Sequence, residues 1–329
     1  MAKGQGFAET PRAGPLDAAD GRDRRRQPPL IGPLDPVLAL ALPILAGLAW
    51  TVPERLWPAI TASLKPFQVL DLSARPKDTA RRIEAVLGER DIAIPPRRLL
   101  GVLARENLRA QLHLLRSLRP GGGWRPVIGL EGTERIESAL DQGRGALLWV
   151  GHFVHASLVV KMALCRAGHR LHHLSRPRHG YSSSRLGIRY LNALVRAAED
   201  RHLAERVPLA DDNPVAAVRT LRHRLGDNRP VSISARDDSK HPCRVPFLSG
   251  HLVLASGAAD LAHATGAPLL PVFCVRDQAG FRVIVEAPLT VDRALSRRQS
   301  SWRVARDLAA ATERHVLDHP GQWLGWPHL

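Results

Sequence analysis

The sequence predicts an α/β protein in which a mostly parallel central sheet is covered by helices on both faces. Three observations lead there. Short apolar runs at residues 146–152, 170–175, 230–235, 268–275 and 281–291 read as strands, and the first, ALLWVGH, has the composition of a strand buried on both faces. Helical periodicity fills the intervals, at 131–142, 156–167, 214–225 and 256–265, with short connections that favour parallel pairing. Finally, 329 residues with 44% hydrophobic and 24% charged side chains supply an ordinary globular core. One large domain with an appendage fits that length better than two equal domains.

Along the chain, residues 1–35 read as a disordered leader, rich in Gly, Pro and Asp and lacking the apolar core of a secretory signal. Residues 36–70 form an apolar helical segment, and 71–329 carry the α/β domain together with a basic amphipathic helix at 97–119. The uncharged stretch VLALALPILAGLAWTV at 37–52 would extend about 24 Å as a helix, short of the roughly 30 Å hydrocarbon core of a bilayer. Flanked by Trp50, Pro53, Arg55, Trp57 and Pro58, it suits a helix or helical hairpin dipping into one leaflet with its tryptophans at headgroup depth. The alternative is a buried N-terminal helix of the soluble core.

Helix 97–119 places Arg105, Arg109, Arg116 and Arg119 within an arc of about 80°, while Leu99, Leu100, Leu103, Leu114, Leu115 and Leu118 occupy much of the remainder. Such a stripe fits an anionic lipid surface or an acidic carrier protein, or else it is a solvated face. Pro120 and the glycines that follow it end the helix.

The formal charge of +16 calls for an anionic partner. Arg22 and Arg24–Arg26 sit in a leader that is nearly neutral overall, so the excess charge belongs to the folded body. The arginines lack interleaved aromatics and no docking motif is visible, which ranks a nucleic-acid binder last among the readings, and no nucleic-acid partner is expected. Cys165, Cys243 and Cys274 are too scattered for a disulfide framework or a zinc site, as expected of a reducing, cytoplasmic setting.

Ligands of open α/β sheets bind beyond the carboxyl ends of the strands, and His152 stands at such an end, before a helix. A histidine there serves either as a general base or as a structural residue. His155 reads as a helix-start residue or a second base. His169, His172 and His173 have no acid or cysteine at ligand spacing and alternate along a strand, so no metal is expected. Ser182, Ser183 and Ser184 do not form a GxSxG elbow, and neither a P-loop nor a GxGxxG fingerprint occurs.

Four stretches carry a resemblance: HFVHAS at 152–157, Arg236-Asp237-Asp238 followed by VPFLSG at 245–250, GAADLAHATGAPLLPV at 257–272, and PGQWLGW at 320–326. In order and spacing they resemble the lipid A late acyltransferase family, which adds lauroyl or myristoyl chains and belongs to the lysophospholipid acyltransferase superfamily. The resemblance covers roughly residue 36 onward, weakly at 191–230. It implies a mostly parallel α/β fold and transfer of a fatty acyl group from an acyl carrier protein or coenzyme A thioester. The acceptor would be a hydroxyl or amine of a lipid or glycolipid at the cytoplasmic face of the inner membrane. The protein would be peripheral or monotopic on an anionic surface, with no bound cofactor. His152 would be the catalytic base.

The family places an acid five residues after that histidine, where this chain has Ser157. In a comparable serine-protease triad, neutralising the acid costs about 10⁴ in rate. Asp238, with Asp237, is the leading substitute because it follows the strand at 230–235, and Glu199 and Asp200 are weaker ones. Arg176, Arg185 and Arg236 match the family's use of guanidinium forks to hold phosphate or phosphopantetheine. The lost acid also leaves open a non-catalytic lipid or acyl-carrier binding protein, or an acyltransferase for an acceptor other than lipid A.

Overall fold

The computed structural model describes residues 28–63, 76–87, 90, 94–122, 124–176, 178–210, 213–235, 242–326 and 329. Strands β1 (Ile128–Glu131), β2 (Ala146–Val150), β3 (Leu171–Ser175), β4 (Leu203–Pro208) and β5 (Pro230–Ser234) precede a separate hairpin of β6 (Pro242–Phe247) and β7 (Gly250–Ala255). Strands β8 (Leu269–Arg276) and β9 (Phe281–Val285) complete a seven-stranded sheet ordered β1-β9-β8-β2-β5-β3-β4. Strands β8, β2, β5, β3 and β4 are mutually parallel; β9 reverses on β8, and β1 runs parallel to β9. The expected mostly parallel sheet is therefore present. Every residue of β2 is buried, as its unbroken apolar run requires.

The described residues form ten α-helices: α1 (Asp35–Thr51), α2 (Trp57–Ser63), α3 (Pro76–Leu87), α4 (Pro96–Ser117), α5 (Thr133–Leu140), α6 (Ala156–Arg166), α7 (Arg185–Asp200), α8 (Pro214–Gly226), α9 (Gly257–Thr265) and α10 (Arg297–Asp318). Strand alternation assigns their faces. His172 of β3 meets Glu205 of β4, which also binds Arg224 of α8. One residue further on, Arg206 of β4 reaches Glu199 of α7, on the opposite face. Helices α8, α9 and α10 pack in one row, and α6 packs beside α7.

Strand β4, the β6–β7 hairpin, α7 and α10 were not anticipated from the sequence. Strand β4 reads LAERVP, with two charged residues, so it lacks the apolar run of a central strand; it lies at the sheet edge. The serines before α7 look like loop, yet Ser184 is the N-cap, its side chain accepting the Gly187 N–H at 3.0 Å. The strand expected over 281–291 ends at Val285, and beyond it Leu289 makes only an isolated bridge to Leu269.

The apolar N-terminal segment folds as α1, a 3-10 turn at Glu54–Leu56, and α2. Leu38, Leu42, Leu45, Ala49 and Trp57 pack against Leu108, Leu112 and Leu115 of α4. The outer face stays apolar and exposed, with Val37, Leu40 and Ile44 at helical spacing beside Leu30, Ile31 and Leu34. Among the described residues no single helix is long and apolar enough to cross a membrane, although Asp35–Thr51 and Glu54–Ala62, bent by 119°, pass that test together.

The tryptophans do not face outward as expected. Trp57 is buried, and the Trp50 indole donates to the Leu115 carbonyl at 2.8 Å. Both fasten the hairpin to α4. The arginine stripe of α4 is likewise divided. Arg116 donates to the Ala49 and Val52 carbonyls at 2.5 and 2.7 Å and pairs with Glu54 at 3.4 Å, satisfying acceptors at the end of α1. Arg109 also turns inward, leaving Arg105 and Arg119 exposed. At the other end of α1, Asp35 accepts the Ser184 hydroxyl, while Arg185 and Leu186 donate to the Pro29 and Leu30 carbonyls. The end of the expected leader is thus bonded to α7; its residues 1–27 lie outside the described residues.

Candidate active site

His152 lies just past the carboxyl end of β2, on a turn fixed from several directions. On the strand side, the Gly151 N–H donates to Val272 of β8 at 2.8 Å. The turn closes with Phe153 donating to the Gly151 carbonyl and Ala156 to the Phe153 carbonyl. The segment PGQWLGW runs antiparallel alongside: Leu324 donates to the His152 carbonyl at 2.9 Å, and Val154 to the Gln322 carbonyl at 2.8 Å. Trp323 stacks obliquely on Phe247 at 5.0 Å and edge-on to Trp326 at 4.9 Å. This packing explains why a tryptophan-rich motif accompanies a histidine so distant in sequence.

Gly151 has no freedom to be anything larger. A Cβ there would sit 2.6 Å from one ring carbon of Phe273 and 2.8 Å from another. Gly151→Ala is expected to destabilise the fold by about 1–3 kcal/mol through overpacking. It should also lower acyl transfer by displacing the turn, and thermal melts paired with transfer assays check both effects.

Three elements meet beneath the turn. Glu106 of α4 accepts a forked pair from Arg276, the last residue of β8, from Nη2 at 3.0 Å and from Nε at 3.2 Å, and a bond from Arg109 at 2.5 Å. The His155 Nε2 lies 3.4 Å from the same carboxylate. Burial by itself would raise the Glu106 pKa, but His155, Arg276 and Arg109 outweigh it and hold the group at about 2. Burial dominates for His155, lowering it to about 4 despite Glu106, so at neutral pH the ring is uncharged and its Nε2 is the donor toward Glu106. At 3% exposure His155 is shut away from substrate, which rules out a second base acting directly. Its ring packs edge-on against Phe281 at 5.1 Å and His113 at 5.6 Å, and His113 stacks on Trp124.

The other residues singled out from sequence separate into groups. Ser157 occupies the first turn of α6, its carbonyl accepting the Lys161 ammonium at 2.5 Å. Asp237, Asp238 and Arg236 lie outside the described residues. Glu199 is engaged elsewhere: fully buried, it contacts Lys161 at 3.3 Å, His179 at 3.0 Å and Arg206 at 2.7 Å, and Arg206 also takes Asp200 at 2.7 Å. Both weaker substitutes for the missing acid are thereby occupied.

Arg176 is half-buried and follows β3 at the same sheet edge as His152, two strands away, or about 10 Å. Arg185 is exposed at the start of α7, beside the N-terminal segment. His172 and His173 point to opposite faces, toward Glu205 and Ser232 respectively. Glu106 and Arg276 escaped the sequence reading, although a lone acid between Arg105 and Arg109 was a usable signal.

Residues 104–328 match the family model described as bacterial lipid A biosynthesis acyltransferase. The chain belongs to that family, and with it to the transferases that move acyl groups. The match begins within α4 and takes in Glu106, the whole sheet and the PGQWLGW segment. No curated protein matches the chain.

Proposed function

We propose that this acyltransferase moves a fatty acyl group from the thioester of acyl carrier protein or coenzyme A to a hydroxyl or amine of a lipid A-type acceptor. It does so at the cytoplasmic face of the inner membrane. His152 is the base: it takes the acceptor proton as the acceptor attacks the thioester carbonyl, and the thiolate leaves with the carrier. The observation that carries this reading is the placement of His152 on a braced turn at the carboxyl edge of the central strand, within the region that matches the family.

Two features support the location. The exposed apolar face of α1, at Val37, Leu40 and Ile44, suits shallow burial in lipid. The charge of +16 suits an anionic leaflet. In this reading Arg176, which follows β3 at the same end of the sheet as His152, holds a phosphate of the donor or acceptor, and Arg185 and Arg236 share that task, as the family resemblance implies.

Purified protein given lauroyl and myristoyl thioesters of acyl carrier protein and of coenzyme A, with a lipid A precursor in anionic vesicles, is expected to yield acylated acceptor. Thioester loss without acylated lipid A precursor would redirect the assignment to another acceptor. A folded, vesicle-bound protein that consumes none of the four thioesters would reject the reading in favour of a binding protein.

A further inference from the structure

The family's acid is missing at position 157, yet a carboxylate does reach the catalytic turn, from α4. The bonds around it close into a ring. The Gln322 side chain grips the backbone of Arg276 twice, its carbonyl accepting the Arg276 N–H at 2.8 Å and its amide donating to the Arg276 carbonyl at 2.6 Å. The Arg276 guanidinium forks onto Glu106, and Glu106 faces His155. From His155 the chain leads back through Val154, whose N–H donates to the Gln322 carbonyl. Four parts of the chain distant in sequence, α4, the His152 turn, the end of β8 and the PGQWLGW segment, are joined by this one circuit.

We propose that Glu106 is a positioning residue for acyl transfer, fixing the His152 turn through His155 and thereby supplying the orientation that an acid at position 157 would provide directly. The inference rests on His152 being the base. The turn is anchored at one end by Gly151 in the β-ladder and at the other by His155, which precedes α6 as its N-cap. With His155 released, the turn keeps its backbone bonds to Val272, Gln322 and Leu324 but loses the side-chain tie at its helix end, which shifts the His152 ring. Glu106 is ionised and partly buried between two guanidiniums, so its charge persists across the working pH range, and His155 is held in the tautomer with its proton on Nε2. A displacement of about 1 Å at a reacting group is enough to cost about 100-fold in rate.

The test compares wild type, Glu106→Gln, His155→Phe and His152→Ala, measuring kcat and KM for the acyl thioester together with thermal melts. Both Glu106→Gln and His155→Phe are expected to lower kcat by about 10- to 100-fold with KM within about threefold. A purely packing role would instead lower the melting temperature and leave kcat per folded molecule unchanged. His155→Phe keeps a ring against Phe281 and His113, so it decides the matter should Glu106→Gln fail to fold. If both variants fold and turn over at the wild-type rate while His152→Ala is dead, the positioning role is wrong and the base assignment stands. If His152→Ala transfers acyl groups normally, the base assignment falls and this inference with it.

Discussion

Replacing His152 by alanine is expected to reduce acyl transfer by about 10²- to 10⁴-fold, the range that a general base contributes, while leaving the melting temperature nearly unchanged. Loss of the imidazole removes the only proposed acceptor for the proton of the attacking hydroxyl or amine. The fold should tolerate the change because the backbone bonds that hold this turn do not involve the side chain: Leu324 still donates to the residue 152 carbonyl, and Gly151 still donates to Val272. Single-turnover measurements with a preloaded thioester separate this loss from a defect in donor binding. Product formation at the wild-type rate would remove His152 from the mechanism.

Glu199→Gln is expected to have the largest effect on stability, about 3–5 kcal/mol, against the 5–15 kcal/mol typical of whole domains. Glutamine fills the same volume but leaves the buried Lys161 and the Arg206 guanidinium without their shared counter-charge. Urea denaturation checks this, and a midpoint like that of the wild type would contradict the buried cluster. The pH dependence has a definite sign. Burial opposes ionisation of Glu199, but Lys161, His179 and His173 prevail and hold its pKa well below the ordinary carboxylate range. Its contribution is therefore complete above the unfolded value of about 4.3 and is lost as pH falls through the folded value. The glutamine variant should lack that acid-dependent part of the stability curve.

The sheet was legible because its strands declare themselves. The run ALLWV can be buried on both faces only as a central strand, and PVSIS and LLPVFCVR flank it in the observed order. Strand β4 was hidden because Glu205 and Arg206 look like surface residues, whereas each has a partner on its own face of the sheet: Arg224 for Glu205, and Glu199 for Arg206. The location of His152 was legible for the same reason as β2. The surroundings of the turn were not, because Glu106, Arg276 and Gln322 come together only through tertiary packing and no spacing rule links them. Periodicity placed Arg109 and Arg116 on one helical face but could not reveal that Arg109 turns to Glu106 beside Arg276, and Arg116 to the end of α1, instead of to solvent.

The pairing of the His152 turn with PGQWLGW also orders events in time. As the chain leaves the ribosome, β2 and its histidine emerge long before Gln322, Trp323 and Leu324, the residues that border the turn. Domains form as units during synthesis, at about 5–20 residues per second. A nascent chain can thus assemble most of its sheet and dock its N-terminal hairpin while the turn still lacks its bracing segment. Competence for acyl transfer would then arrive only once residues 320–326 have been made.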